Sequence, residues 1–434
     1  MGSGVSQIEQ GASGRRAPAG AGRRPNSGFR TAYAGHRARP SRARRSRRRP
    51  LAAVIAAGLV VLLAPSCVIS SGLHVVATPN PPSNAFIHAS GKLAGMSAVS
   101  ATDVWAAGTT EYQHVATGWQ SLTLHWDGKS WRIVPTPGIS LTSELMDIAA
   151  VAPNNVWAVG QQAVSTSMGV QVKRLLLHFT GSKWAVMASP PLPNSAGLRG
   201  IAAVSAGDIW AVGWLRVGAS PLAIPEKTVP LTLHFDGTTW RQVPFPVVAG
   251  PASFLTRVAV SKAGRVYAVG GGRNAGGPPI WLPNGSRVIA RYDAGRWTLL
   301  PLTGIQPDAE LRDVAVAGPD VWVVGDRANA AGPIESLAWR YAGTRWTSYR
   351  PGPHPRGVLN GVHAASAREV WAAGTPGNDG TGDGVLLTRW DGQRWKVAFR
   401  IPTVDALRGL ADVTTAGGHV FSVGGTTQTL AVQN

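Results

Sequence analysis

Asp208-Ile209-Trp210-Ala211-Val212-Gly213, followed after a variable stretch by His234-Phe235-Asp236-Gly237-Thr238-Thr239-Trp240, decides the fold. Working outward, Leu198 to Val204 alternates apolar and polar positions and predicts a first strand, a. Asp208 suits the turn that follows, because a short carboxylate can accept backbone N–H bonds. Ile209 to Gly213 predicts strand b, and Leu231 to Phe235 predicts strand c. Asp236-Gly237 is a tight hairpin signal, and strand d begins at Trp240. Pro244 and Pro246 end it, since proline cannot continue a ladder. The unit is four antiparallel strands joined by turns.

The first phrase occurs seven times: DVWAAG (103–108), NVWAVG (155–160), DIWAVG (208–213), RVYAVG (265–270), DVWVVG (320–325), EVWAAG (369–374) and HVFSVG (419–424). The spacings are 52, 53, 57, 55, 49 and 50 residues. The second phrase follows the first six, from HWDGKSW (125–131) to RWDGQRW (389–395). Four-stranded units at a period near 50 predict a β-propeller, here seven-bladed and all-β, over residues 73–434. The seventh copy stops at strand c, Thr429 to Val432, and lacks strand d. Leu73 to Pro79 matches the strand-d pattern of Trp131 to Pro137, so the N-terminal strand is expected to complete the last blade and remove the open sheet edges.

Glycine (53), proline (32) and tryptophan (17) are abundant, which suits many short strands. The net charge of +20 is unevenly distributed. Residues 1–50 hold 13 arginines, no lysine and one acid, whereas the remaining 384 residues have a net charge of only +8. The folded region therefore shows no electrostatic reason to bind nucleic acid. The sole cysteine, Cys67, excludes an intramolecular disulfide and zinc sites built on CxxC pairs.

Residues 1–50 have no apolar periodicity and read as a disordered basic tail. They end in Arg44-Arg45-Ser46-Arg47-Arg48-Arg49, and Leu51 to Ala64 is then apolar. A basic flank before an apolar run is an export signal, and it sends the rest of the chain across the membrane. Three versions remain open. Leu51 to Ser70 is long enough for an uncleaved anchor. Leu63-Ala64-Pro65-Ser66-Cys67 reads as a loose lipobox with Cys67 as the lipid anchor. Ser46-Arg47-Arg48-Arg49 resembles a twin-arginine signal for cleaved secretion. Each version puts a monomeric propeller at the cell membrane on its extracytoplasmic side, or secreted.

The unit resembles a kelch repeat, most closely in the fourth copy: Val266-Tyr267-Ala268-Val269-Gly270-Gly271, then Arg291-Tyr292-Asp293, then Trp297 and Pro301. The double glycine returns only at Gly424-Gly425. The aromatic, Asp-Gly, Trp order also resembles tectonin-type lectin propellers. The resemblance implies binding of proteins or glycans. The oxidases among kelch propellers use a cysteine cross-linked to tyrosine, and Cys67, inside the export segment, does not fit that role.

His125, His178 and His234 share one repeat position that Arg291, Arg340 and Arg389 fill in later copies. Equivalent positions on different blades lie far apart, so these residues read as structural, as do the strand-d tryptophans that wedge between blades. Function is expected where the copies differ, in the b–c connections. Those stretches hold Tyr112, Trp119, Trp214, Arg216, Arg273, Trp281 and Arg327, residue types that dominate contact hot spots. Asp379 and Asp383, spaced among glycines, are a weak calcium candidate without a closing carboxylate. No HExxH, GxSxG or P-loop motif occurs, and no cofactor is implied. The chain reads as a binding module for a glycan, cell-envelope polymer or protein. The alternative is a secreted hydrolase or lyase acting on a polysaccharide.

Overall fold

A computed structural model describes residues 68–69, 72–82, 89–112, 118–138, 142–167, 169–192, 195–217, 227–249, 253–272, 285–327, 334–352, 356–377, 384–401, 409–425 and 428–434. Expectations placed on residues 1–67, including Cys67, and on Arg273, Trp281, Asp379 and Asp383 lie outside them.

Every regular element among the described residues is a strand, and the strands form seven antiparallel sheets. Six blades follow in order over 89–133, 142–186, 196–242, 257–299, 309–349 and 357–401. In blade 3 the strands are a, Ala196–Ser205; b, Asp208–Val217; c, Lys227–Phe235; and d, Trp240–Gln242. The chain is a seven-bladed β-propeller. Its seventh blade consists of Leu410–Ala416, His419–Gly424 and Leu430–Gln433, with His74–Val76 supplying strand d. His74 pairs with Gln433, Val75 with Val432 and Val76 with Ala431. The Thr78 hydroxyl donates to the Thr429 carbonyl (2.6 Å), and the Thr429 N–H donates to Asn80 Oδ1 (2.9 Å). The predicted closure is present.

Two boundaries differ from the sequence reading. Val68 and Ile69, inside the predicted 51–70 segment, pair with Arg400 and Phe399 as a fifth strand on blade 6. The sheets therefore begin before residue 73. Strands b and c also extend beyond their predicted ends, because their ladder continues to Glu111↔Trp119 in blade 1 and Val217↔Lys227 in blade 3. Tyr112, Trp119, Trp214 and Arg216 are consequently strand residues.

The core lies between blades. Seven apolar clusters fill the seven interfaces, including the one that joins Leu93, Trp126 and Trp131 of blade 1 to Phe421, Val423 and Ala431 of blade 7. The strand-d indole of one blade meets the strand-b indole of the preceding blade edge-on, as in Trp105–Trp184 (5.7 Å, 88°) and Trp210–Trp297 (5.6 Å, 89°). The repeated histidines are structural, as expected. His125 Nε2 and Trp105 Nε1 both reach Asp103 Oδ1 at 2.9 Å, and the two rings stack at 4.4 Å. Asn155–His178–Trp157 and Asp208–His234–Trp210 repeat the clamp. In blade 5 the same clamp uses Arg340, 2.7 Å from Asp320 and over the Trp322 ring.

Candidate binding site in the central funnel

Strand a lines the axis of the ring, and it repeats a short pattern. A buried leucine is followed by one variable residue and then by Gly95, Asp147, Gly200, Arg257, Asp313, Gly361 or Asp412. In six blades the ladder slips between the leucine and this last residue. Such bulges re-aim side chains. Here they bring one residue per blade to a common ring.

The ring is an interlocked set. Asp147 accepts the N–H of Ile148 and that of Ile201 in the next blade, both at 2.9 Å. Asp313 does the same with Val314 (2.8 Å) and Val362 (2.7 Å), and Asp412 with Val413 (2.7 Å) and Met96 (2.8 Å). Glycine fills the positions that face a neighbouring ring residue. A Cβ on Gly95 would lie 2.8 Å from Asp147 Cα, on Gly361 2.6 Å from Asp412 Cα, and on Gly200 2.8 Å from Arg257 Cα.

Arg257 crosses the axis. Its guanidinium donates to the carbonyls of Arg199 (2.8 Å) and Thr256 (3.1 Å), and to Ala94 (2.9 Å) on blade 1. Burial pushes the Asp313 carboxyl up to about 6 and Asp147 and Asp412 upward as well, and Arg257 opposes these rises. Burial alone would lower the Arg257 pKa, but the three aspartates more than offset it and leave it raised. These groups satisfy one another and the backbone, and they read as a structural floor.

Above the floor, on the b–c side, is a cavity of about 440 Å³. Its wall is built from the variable column of strand a: Ala94, Met146, Arg199, Thr256, Arg312, Asn360 and Ala411, one from each blade. Lys92, Glu144 and Glu310 stand higher, with Trp119 and Glu111 from blade 1. On the opposite side of the floor is a second cavity of about 320 Å³, lined in part by His363, whose pKa burial lowers to about 4.

Most of the charged groups in the larger cavity have partners. Arg312 donates to Asp326 Oδ1 (2.8 Å) and lies 3.2 Å from Glu310. Glu144, its carboxyl pushed up by burial, accepts a hydrogen bond from the Gln161 amide. Arg199 differs. It is only 6% exposed, its Nε is buried without an acceptor, and its guanidinium makes no hydrogen bond or ion pair with any described residue. Its guanidinium carbon lies 6.0 Å from the Phe254 ring centre. Burial lowers its pKa to about 10, Glu144 pulls it up and Arg257 down, so it stays charged at neutral pH.

Of the residues predicted to form a ligand face, Trp119 reaches the cavity, half-buried. Tyr112 ends strand b of blade 1 (Asp103–Tyr112), outside the cavity wall. Trp214 is a correction: it is 1% exposed, packed on Phe254 and Val172, and its indole covers Gly197. Arg216, in the same strand, is also partly buried, and its Nε has no acceptor. Arg327 is bound to Glu335 at 3.0 Å. The sequence reading missed Lys92, Glu144, Arg199 and Asn360. Their signal is the strand-a column itself, where chemistry changes from blade to blade beside an unchanging leucine. Among the described residues, no group of three or more His, Cys, Asp or Glu is placed to hold a metal ion.

No protein-family model matches the chain, and no curated protein is detectably similar to it in sequence. Solved structures do match. One described as YCF48 bound to D1 peptide is 14% identical, with a TM-score of 0.49, and covers 84% of this chain and 98% of its own. YCF48 from Cyanidioschyzon merolae is 13% identical, with a TM-score of 0.49, covering 83% and 98%.

Proposed function

We propose that the chain is an extracytoplasmic, membrane-held binding module whose ligand enters the funnel on the b–c side. The observation that carries this reading is the cavity of about 440 Å³ whose wall takes one non-repeating side chain from each blade. That volume lies within the ~300–1,000 Å³ of small-ligand sites. A repeat scaffold makes seven near-equivalent surfaces, and only its axis lets all seven contribute to one site. The basic tract and the apolar run before residue 70 support a place at the membrane, with a glycan, cell-envelope polymer or protein as the partner. The test is sedimentation of the full chain with isolated cell envelope. Trp119→Ala is expected to weaken binding by about tenfold, the scale of a contact hot spot. Unchanged binding would remove the funnel from the reading.

A further inference from the structure

A cation buried without a partner is costly, since desolvation is not repaid by a counter-charge. Arg199 is such a cation, facing a cavity in which Arg312, Glu310 and Arg257 are already engaged. It lies between the uncharged Gly200 in the ring below and Glu144 on the adjoining blade, with which it interacts only through space. A ligand that brings an anionic group to Arg199 would supply the missing partner. The guanidinium presents paired donors in a plane, which matches a carboxylate bidentately.

The rest of the cavity indicates what carries that carboxylate. Trp119 brings an indole to the wall, an apolar ring with a polar edge. The same wall carries polar side chains from three blades: Ser90, Thr109 and Glu111, then Glu144, which also holds Gln161, and Asn360, which also donates to the Leu410 carbonyl. Such a set fits several hydroxyls on a rigid ring better than the single N–H beside a peptide's terminal carboxylate. We infer that the funnel carries a carboxylate subsite at Arg199 for an acidic sugar, its ring set against Trp119 and its hydroxyls bonded to the surrounding polar groups. The inference rests on the funnel being the binding site and adds the class of ligand.

The test is calorimetry on the purified full chain with three probes: a glucuronate oligosaccharide, the matching neutral glucose oligosaccharide, and a short uncharged peptide ending in a free carboxylate. The acidic sugar is expected to bind at least about tenfold more tightly than the neutral one, the scale of one charge-assisted contact. Arg199→Met should erase that difference. It should also raise the melting temperature of the free protein, because an unpaired buried charge is removed. Equal affinity for the two sugars, insensitivity to Arg199→Met, or binding of the peptide alone would each overturn the inference. If Trp119→Ala still weakens envelope binding while Arg199→Met changes nothing, the subsite is wrong and the funnel reading stands. If neither variant affects envelope binding, the funnel reading itself has failed.

Discussion

Arg257 brings one positive charge into a channel where Asp147, Asp313 and Asp412 can carry three negative ones. Their folded pKa values lie above those of the unfolded chain, so protonation favours the folded state. This stabilisation is complete below the unfolded value of 3.8 and is lost as pH rises through about 6 for Asp313. Removing the cation strands the carboxylates and raises their pKa values further. Arg257→Met is therefore expected to cost about 3–5 kcal/mol at pH 7.5 and distinctly less at pH 5. Denaturant melts of both proteins at the two pH values check this. His363, whose lowered pKa opposes the trend, contributes equally to both and cancels. A deficit that is the same at both pH values would show that the three carboxylates do not sense Arg257. A second contrast separates two tryptophans that read alike in the sequence. Trp214→Ala should cost about 3–5 kcal/mol of stability, because its site is closed. Trp119→Ala should cost about 1 kcal/mol or less and act on binding instead. The two could not be told apart beforehand because both lie in extended b–c ladders, and what covers Trp214 is Phe254 and Val172 from the flanking blades, contacts that no local pattern encodes.

At the level of the strand, the repeated phrase is a packing instruction. The glycine that ends it recurs in all seven blades because strand a passes too close for any side chain. A Cβ at Gly213 would lie 2.0 Å from the Gly197 carbonyl oxygen, and at Gly108 1.9 Å from that of Lys92. Gly213→Ala is expected to push the bulged strand a outward and cost about 1–3 kcal/mol, as overpacking does, measured by thermal melting. Wild-type melting would mean that the strand relaxes freely. Trp240→Ala should cost about 3–5 kcal/mol, since its indole closes on Trp157 of the preceding blade at 5.6 Å. This level was the most legible. Turn residues, alternation and the tryptophan wedges are local or repeat-periodic features, and they predicted the order a-b-c-d and the structural role of His125, His178 and His234. The funnel wall was not legible in the same way. Arg199 and Asn360 occupy a column whose only regularity is to follow a leucine, and neither alternation nor motif marks it. Its meaning appears once the seven strands a, six of them bulged, point that column at one axis.

For the whole molecule, the question is what keeps seven blades in a ring. Each interface is apolar, and the last differs from the others only in its covalent origin, since blade 7 takes its outer strand from the opposite end of the chain. The geometry allows that difference to be tested. Gly72 and Asn434 are adjacent, with a Cβ built on Gly72 lying 3.6 Å from that of Asn434. A short linker could therefore join Asn434 to residue 72 and make the last blade continuous, like the other six. If His74–Val76 works by pairing alone, a propeller lacking residues 72–80 should lose several kcal/mol, on the order of a small domain's stability. A permuted chain that carries residues 72–80 after Asn434 should regain it, with Val75 again against Val432 and the Thr78–Thr429 bond restored. Thermal melting of the intact, deleted and permuted proteins makes the comparison. Equal melting of the intact and deleted proteins would mean that the inter-blade core closes the ring without the strand. A permuted protein that melts like the deleted one would mean that the segment acts through what precedes it, where Val68 and Ile69 hold the edge of blade 6.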